Sequence, residues 1–150
     1  IDGEYSVTID LSDLNRNIGK ELYNDGTHKI VVSHIDHTGD INTGGYRIQF
    51  RSVGQYSLEG ASLVSGIHHE KIGENEFTYD MSSEMEAEYN GQTYESSVSG
   101  VSGLNFKDGD SFGFYIFPAS AFESQKVTLK ENGEVLLTVT NLYKNIWNKN

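Results

Sequence analysis

The sequence predicts an all-β fold: a single-domain antiparallel β-sandwich, jelly-roll or immunoglobulin-like, with at most one short helix. Three observations carry this expectation. Apolar residues recur at every second position within short segments, as in strands that keep one face in a core and the other in water. Glycine and asparagine separate those segments, with 16 glycines in the chain against a single proline, Pro118. The 150 residues amount to about one domain, and no linker-like run or break in composition divides them.

The elements follow in order along the chain. Residues 5–11 set Tyr5, Val7, Ile9 and Leu11 on one face and Ser6, Thr8 and Asp10 on the other. Ser12 can then cap a short helix with Leu14, Ile18 and Leu22 on one stripe, ended by Asn24-Asp25-Gly26. Gly19 inside that helix costs it about 1 kcal/mol relative to alanine. Strands are predicted over 29–35 and over 46–51, where Tyr46, Ile48 and Phe50 oppose Arg47, Gln49 and Arg51. Residues 56–67 read as strand with a break, and 77–81 alternates Phe77, Tyr79 and Met81 with Thr78 and Asp80.

Asn90-Gly91 is the strongest hairpin signal, because a type I′ turn needs positive φ at both central residues. A two-residue loop there sets Tyr89 opposite Gln92, joining strands 84–89 and 92–98. Met85, Ala87 and Tyr89 then share a face with Tyr94 and Val98. Segment 112–117 is apolar on both faces, with Phe112, Phe114 and Ile116 on one and Gly113, Tyr115 and Phe117 on the other. The last pair, 125–130 and 134–140, reads as a hairpin over Glu131 to Gly133. That three-residue loop brings Val127 and Leu129 alongside Val135, Leu137 and Val139 and sets Lys130 opposite Glu134.

Charge and composition remove whole classes of function. With 11 basic against 22 acidic side chains the net charge is −11, which repels phosphate backbones and anionic lipid, so nucleic acid is not an expected partner. No apolar run approaches the roughly 20 residues of a spanning helix, so membrane insertion is not expected either. The absence of cysteine excludes disulfides, thiolate chemistry and zinc sites built on sulfur. Ile1 opens directly into mature-looking sequence without a signal segment, and no N-x-S/T sequon occurs, which leans away from a glycosylated eukaryotic secreted domain. There is no G-x-S-x-G elbow, no H-E-x-x-H and no phosphate-binding glycine loop. His69-Glu70 begins like a zinc-protease motif, but the residue four after His69 is Gly73. A Ser–His–Asp set can be drawn from the serines and five histidines, yet no spacing singles one out. The expectation is a protein that is not an enzyme.

Three features invite ligands. His34-Ile35-Asp36-His37 with Asp40 and Asn42 is the densest cluster of potential metal ligands. The alternation of Asp36, Thr38, Asp40 and Asn42 suits oxygen coordination, so a cation, if bound, is expected to be calcium held by Asp36, Asp40 and Asn42. The bland reading of the same stretch is a polar connection between strands, bent at Thr43-Gly44-Gly45. Second, residues 70–95 carry Glu70, Glu74, Glu76, Asp80, Glu84, Glu86, Glu88 and Glu95 against one lysine, Lys71. The hairpin register puts Glu86 directly opposite Glu95, which is destabilising unless solvent, a cation or a basic neighbour such as Arg47 or Arg51 offsets it. Third, if Tyr115 and Phe117 face outward beside Gly113, they form a flat aromatic platform on which a sugar ring can stack. Trp147, near an Asn- and Lys-rich end, can equally anchor the terminus or bind a ligand.

A cysteine-free acidic β-sandwich with Asn/Gly turns is similar in general look to surface modules of bacteria, fimbrillin-like pilins and carbohydrate-binding modules among them. The similarity lies in composition and strand pattern across the chain, not in a run of residues. The function expected is therefore a non-catalytic binding module of a secreted or surface-anchored bacterial protein, extracellular or at the cell surface, with a glycan or a surface protein as partner. The alternative is a structural or adhesive subunit that acts by assembly through strand edges. A small hydrolase is the third possibility.

Overall fold

The computed structural model describes residues 1–40, 45–57, 60–72, 77–102 and 109–148. Strand accounts for 61% of these and helix for 7%, so the fold is all-β and sandwich-like, as the alternation predicts. One sheet has the strand order β1 (Glu4–Asp10), β13 (Glu134–Thr140), β9 (Glu84–Tyr89), β10 (Gln92–Glu95). A second runs β11 (Ser97–Val101), β12 (Asp110–Tyr115), β4 (Tyr46–Val53), β3 (Lys29–His37), β2 (Glu21–Asn24). Beside them lie a three-stranded sheet, β14 (Tyr143–Asn148), β6 (Gly60–Ser65), β5 (Gln55–Ser57), and a pair, β7 (Ile67–Lys71) with β8 (Phe77–Met81). All the pairings are antiparallel. No helix among the described residues is long and apolar enough to cross a membrane.

The core forms where the alternation of the two large sheets points inward. Val7 and Ile9, Val135, Leu137 and Val139, and Met85, Ala87 and Tyr89 come from the first sheet. Ile30, Val32, Tyr46, Ile48, Phe50, Phe112 and Phe114 come from the second, in the same cluster. Burying each such side chain contributes about 1.5–3 kcal/mol. On β3 the parity slips: Val32 and Ile35 are both buried because a bulge between Val32 and His34 shifts the register against β4.

The hairpin at Asn90-Gly91 has the expected geometry. Both residues have positive φ (50° and 76°), Tyr89 pairs with Gln92, and Glu86 stands directly opposite Glu95. Strand 92–98 does not continue as one element, however. At Ser96 the chain leaves the first sheet, its backbone N–H donating to Met85 and its hydroxyl to the Ile116 carbonyl across the sandwich. Val98 then pairs with Phe114 in the second sheet and is exposed.

Two further expectations are corrected. The predicted helix after Ser12 is a single 3₁₀ turn, Leu14–Asn17, and Ile18 already has extended backbone. Asn17 explains the stop: its buried amide accepts the Asp10 N–H and donates to the Asp10 carbonyl (2.9 Å each), closing off the end of β1 as a strand partner would. Leu22, assigned to the helical stripe, is buried in β2 instead. Residues 125–130 are not a strand. Pro118 starts a short helix, α1 (Ala119–Glu123), after which Gln125 turns left-handed (φ 61°) and the chain stays irregular up to β13. Val127 still reaches the core, but β1 and β9 occupy both edges of β13. The irregular stretch is held by two tyrosines: Tyr89 Oη donates to Glu131 Oε1 (2.8 Å) and Tyr46 Oη accepts the Glu131 N–H (2.8 Å).

Candidate functional site: an aromatic cleft over a buried polar cluster

The expected sites fall in three places. Phe117 lies in the core, 1% exposed, within 5.4–6.3 Å (ring centroids) of Tyr46, Tyr89, Tyr94 and Phe122. The reason is local: β12 ends at Tyr115, so strand parity no longer governs Phe117, which turns inward just before Pro118. Tyr115 is half-buried, and the two rings do not form an exposed pair. Phe112 and Phe114 occupy a strand buried on both faces between β11 and β4.

At the ligand cluster, the Asp36 carboxylate is gripped by Arg47 through two bonds, Nε to Oδ1 (3.1 Å) and Nη2 to Oδ2 (2.7 Å). This fork-to-fork pair gives Asp36 a cationic partner on the neighbouring strand. Thr38 Oγ1 donates to the Asp40 carbonyl, and Asn42 lies outside the described residues. Among the described residues no group of three or more His, Asp and Glu is placed to hold a metal ion. Arg47 and Arg51 both belong to β4 in the second sheet, not to the sheet that carries Glu86 and Glu95.

The most developed site lies where β14 runs beside β7. A cleft of about 390 Å³ opens there, lined by His68, His69, Glu70, Tyr143, Asn145 and Trp147, together with Lys144 and Ile146. That volume is within the range of small-ligand pockets. Tyr143, Asn145 and Trp147 alternate onto one face of β14, so the two rings flank Asn145 over roughly 13 Å at about 3.3 Å per residue. Asn145 joins the strands: its Oδ1 accepts the His69 N–H (2.8 Å) and its Nδ2 donates to the Ile67 carbonyl (2.9 Å). This fixes the floor of the cleft. At the rim His68 packs on Tyr143, with centroids 4.1 Å apart and planes 33° from parallel.

Beneath the floor the fold buries charge. His69 (6% exposed) directs Nε2 at Oδ2 of Asp110 (1% exposed) at 2.6 Å. Ser65 Oγ donates to the same carboxylate, 2.8 Å from each oxygen, while accepting the Ile67 N–H. A carboxylate only accepts, so the His69 proton in this contact sits on Nε2. Every partner comes from a different element: Ser65 from β6, His69 from β7, Asp110 from β12, Asn145 from β14. The imidazole is thereby held rigidly, its ring 6.1 Å from that of Trp147 and 6.0 Å from that of Tyr79. The sequence draws attention to His69, through His69-Glu70, and to Trp147 separately. Nothing in their spacing joins them to Asp110, more than forty residues away from either histidine.

Comparison of the chain with models of protein families, with curated proteins and with solved structures finds no match.

Proposed function

We propose that this chain is a glycan-binding module of a secreted or surface-anchored bacterial protein, with the sugar seated in the cleft between β7 and β14. The observation that supports this reading is Tyr143 and Trp147 on one strand face, flanking a rigid polar floor in an open cleft. Apolar C–H faces of sugars sit on aromatic rings, while Glu70, Lys144 and His68 offer charged and neutral hydrogen-bonding groups for the hydroxyls. This moves the aromatic platform from Tyr115 and Phe117, whose segment is core, to the last strand of the described chain.

Assembly is the second reading, and one observation favours it. Ile72, Tyr79, Tyr143 and Ile146, all in or beside the small sheets, are exposed large apolar residues. Exposed apolar side chains at the small sheets also suit a protein partner.

A glycan array with wild type and Trp147→Ala, read beside sedimentation analysis, separates the two. A stacking ring contributes about 0.5–1.5 kcal/mol beyond its area, so Trp147→Ala should weaken binding by roughly 2- to 12-fold or more with the melting temperature little changed. Unchanged binding by Trp147→Ala, or a concentration-dependent oligomer without any glycan bound, contradicts the glycan reading.

A further inference from the structure

A second set of residues, beside a groove that shares Ile146 and Trp147 with the cleft, has the connectivity of a nucleophilic relay. Ser62, on β6, places Oγ 2.7 Å from Nε2 of His28, and Nδ1 of His28 lies 2.8 Å from Oδ2 of Asp25. The Asp25 carboxylate is fixed by the turn between β2 and β3: Oδ1 accepts the backbone N–H of Thr27 (2.9 Å) and of His28 (2.6 Å), and Oδ2 also accepts the Tyr23 hydroxyl (3.0 Å). These donors, the His28 backbone first among them, hold the Asp25 carboxyl well below the usual carboxylate range. An ionised Asp25 accepts only, so His28 carries its proton on Nδ1, and Nε2 presents a lone pair to the Ser62 hydroxyl. His28 is buried, 5% exposed, while Ser62 is half-buried and lines a groove of about 240 Å³ with Gln55, Ser57, Gly60, Ile146 and Trp147. The base is thus shielded, the orienting carboxylate is exposed at the turn but fixed by its donors, and the hydroxyl opens onto a groove, an arrangement that activates a serine.

We propose that Ser62 is an activated nucleophile that accepts acyl groups from small carboxylic esters, with His28 as general base and Asp25 as the group that orients it. Ser62 Oγ attacks the carbonyl carbon, and its proton passes to His28 Nε2. The ester C–O bond breaks, the departing alcohol takes that proton, and an acyl-Ser62 remains, which water hydrolyses through the same base. The groove volume suits short acyl chains. Ser62 sits in the middle strand of its sheet, paired with Gln55 on one side and Ile146 on the other, so its own backbone is committed to the sheet. The Gln55 carboxamide, across the strand pair in the same groove, is the donor offered to a developing oxyanion. One mobile side-chain donor in place of fixed backbone N–H groups implies a reaction that is slow to turn over. Ser62, His28 and Asp25 lie outside the lining of the glycan cleft, and no serine-hydrolase motif in the sequence marks them.

The test is reaction of the whole chain with an alkyl fluorophosphonate, in which the Oγ–P bond forms and fluoride leaves, followed by intact-mass and peptide mapping. Wild type should acquire one adduct, at Ser62. Ser62→Ala should acquire none, and His28→Gln should slow labelling at least tenfold. Asp25→Asn, at a less buried position, should slow it similarly and keeps the test standing if His28→Gln does not fold. Labelling rate against pH should rise along a single titration in wild type and flatten in the His28 variant, a readout that a turn-clamping role would not move. p-Nitrophenyl acetate should give a burst of about one equivalent of nitrophenol. No adduct on folded wild type, an adduct elsewhere, or labelling indifferent to His28 and Asp25 overturns the proposal and leaves the three residues as a clamp between the β2–β3 turn and β6.

Discussion

Phe50, Phe112 and Leu137 pack in the large core among other apolar side chains, whereas Asp110 and His69, close by and equally buried, face each other at 2.6 Å with Ser65 and Asn145 around them. The first region is specified by pattern: any inward side chain of similar volume satisfies it, within a kilocalorie or two. The second is specified by pairing, since removing one partner strands the other without water. The first region builds the sandwich, and the second fixes the small sheets against it and so sets the shape of both candidate sites.

The largest expected effect comes from breaking the pair on one side only. Asp110→Ala should cost about 3–5 kcal/mol in urea unfolding, because His69 is left buried without its acceptor. Replacing both at once, Asp110→Leu with His69→Leu, should recover most of that loss, since apolar side chains of matching volume avoid desolvation altogether. In the large core, by contrast, Leu137→Ala combined with Ile48→Ala should lose at least the sum of two cavities, each costing about 2–5 kcal/mol. If the double replacement at 69 and 110 is as damaging as the sum of its singles, the contrast drawn between the regions is wrong.

A smaller effect sharpens the border between the two kinds of packing. Burial, with Glu131 beside it, pushes the Tyr89 hydroxyl up to about 12. A folded-state value raised above the unfolded one near 10 means that this stabilisation is fully present below about pH 10 and fades as pH rises from there towards 12. Melting curves should therefore fall across that interval, and less steeply in Tyr89→Phe, which at neutral pH should lose about 1.5–3 kcal/mol with its bond to the Glu131 carboxylate. The smallest effect is at the surface. Glu95→Gln should stabilise by about 0.2–1 kcal/mol by relieving Glu86 across the strand pair, with the gain shrinking in salt.

The contrast also explains which parts of the molecule were legible in the sequence. Segments 77–81, 84–89 and 134–140 alternate cleanly and match β8, β9 and β13 to the residue. In β14 the pattern is inverted: Asn145 is buried in the joint between strands while Ile146 is 63% exposed, so hydropathy points away from the strand's inner face. The four-residue β2 was hidden in an apparent helical stripe because Leu22 keeps helical spacing from Leu14 and Ile18, while Asn17 stops the helix through bonds that no periodicity records. Residues 125–130 alternate like a strand, yet β13 has both edges filled by β1 and β9. Both candidate sites depend on partners brought together from distant parts of the chain, Asp110 with His69 and His28 with Ser62, and no sequence pattern marks either contact. Of the cleft's residues, Trp147 and His69 draw notice in the sequence, whereas Tyr143 and Asn145 do not.

Trp147 is the chain's single tryptophan and lines both the cleft and the neighbouring Ser62 groove, so its fluorescence reports on that side of β14 alone. Titrating wild type with an oligosaccharide identified on the array should shift or quench that emission along the same isotherm that calorimetry records. Binding seen by calorimetry with the Trp147 emission unmoved through saturation would place the sugar elsewhere and contradict the cleft as the binding site.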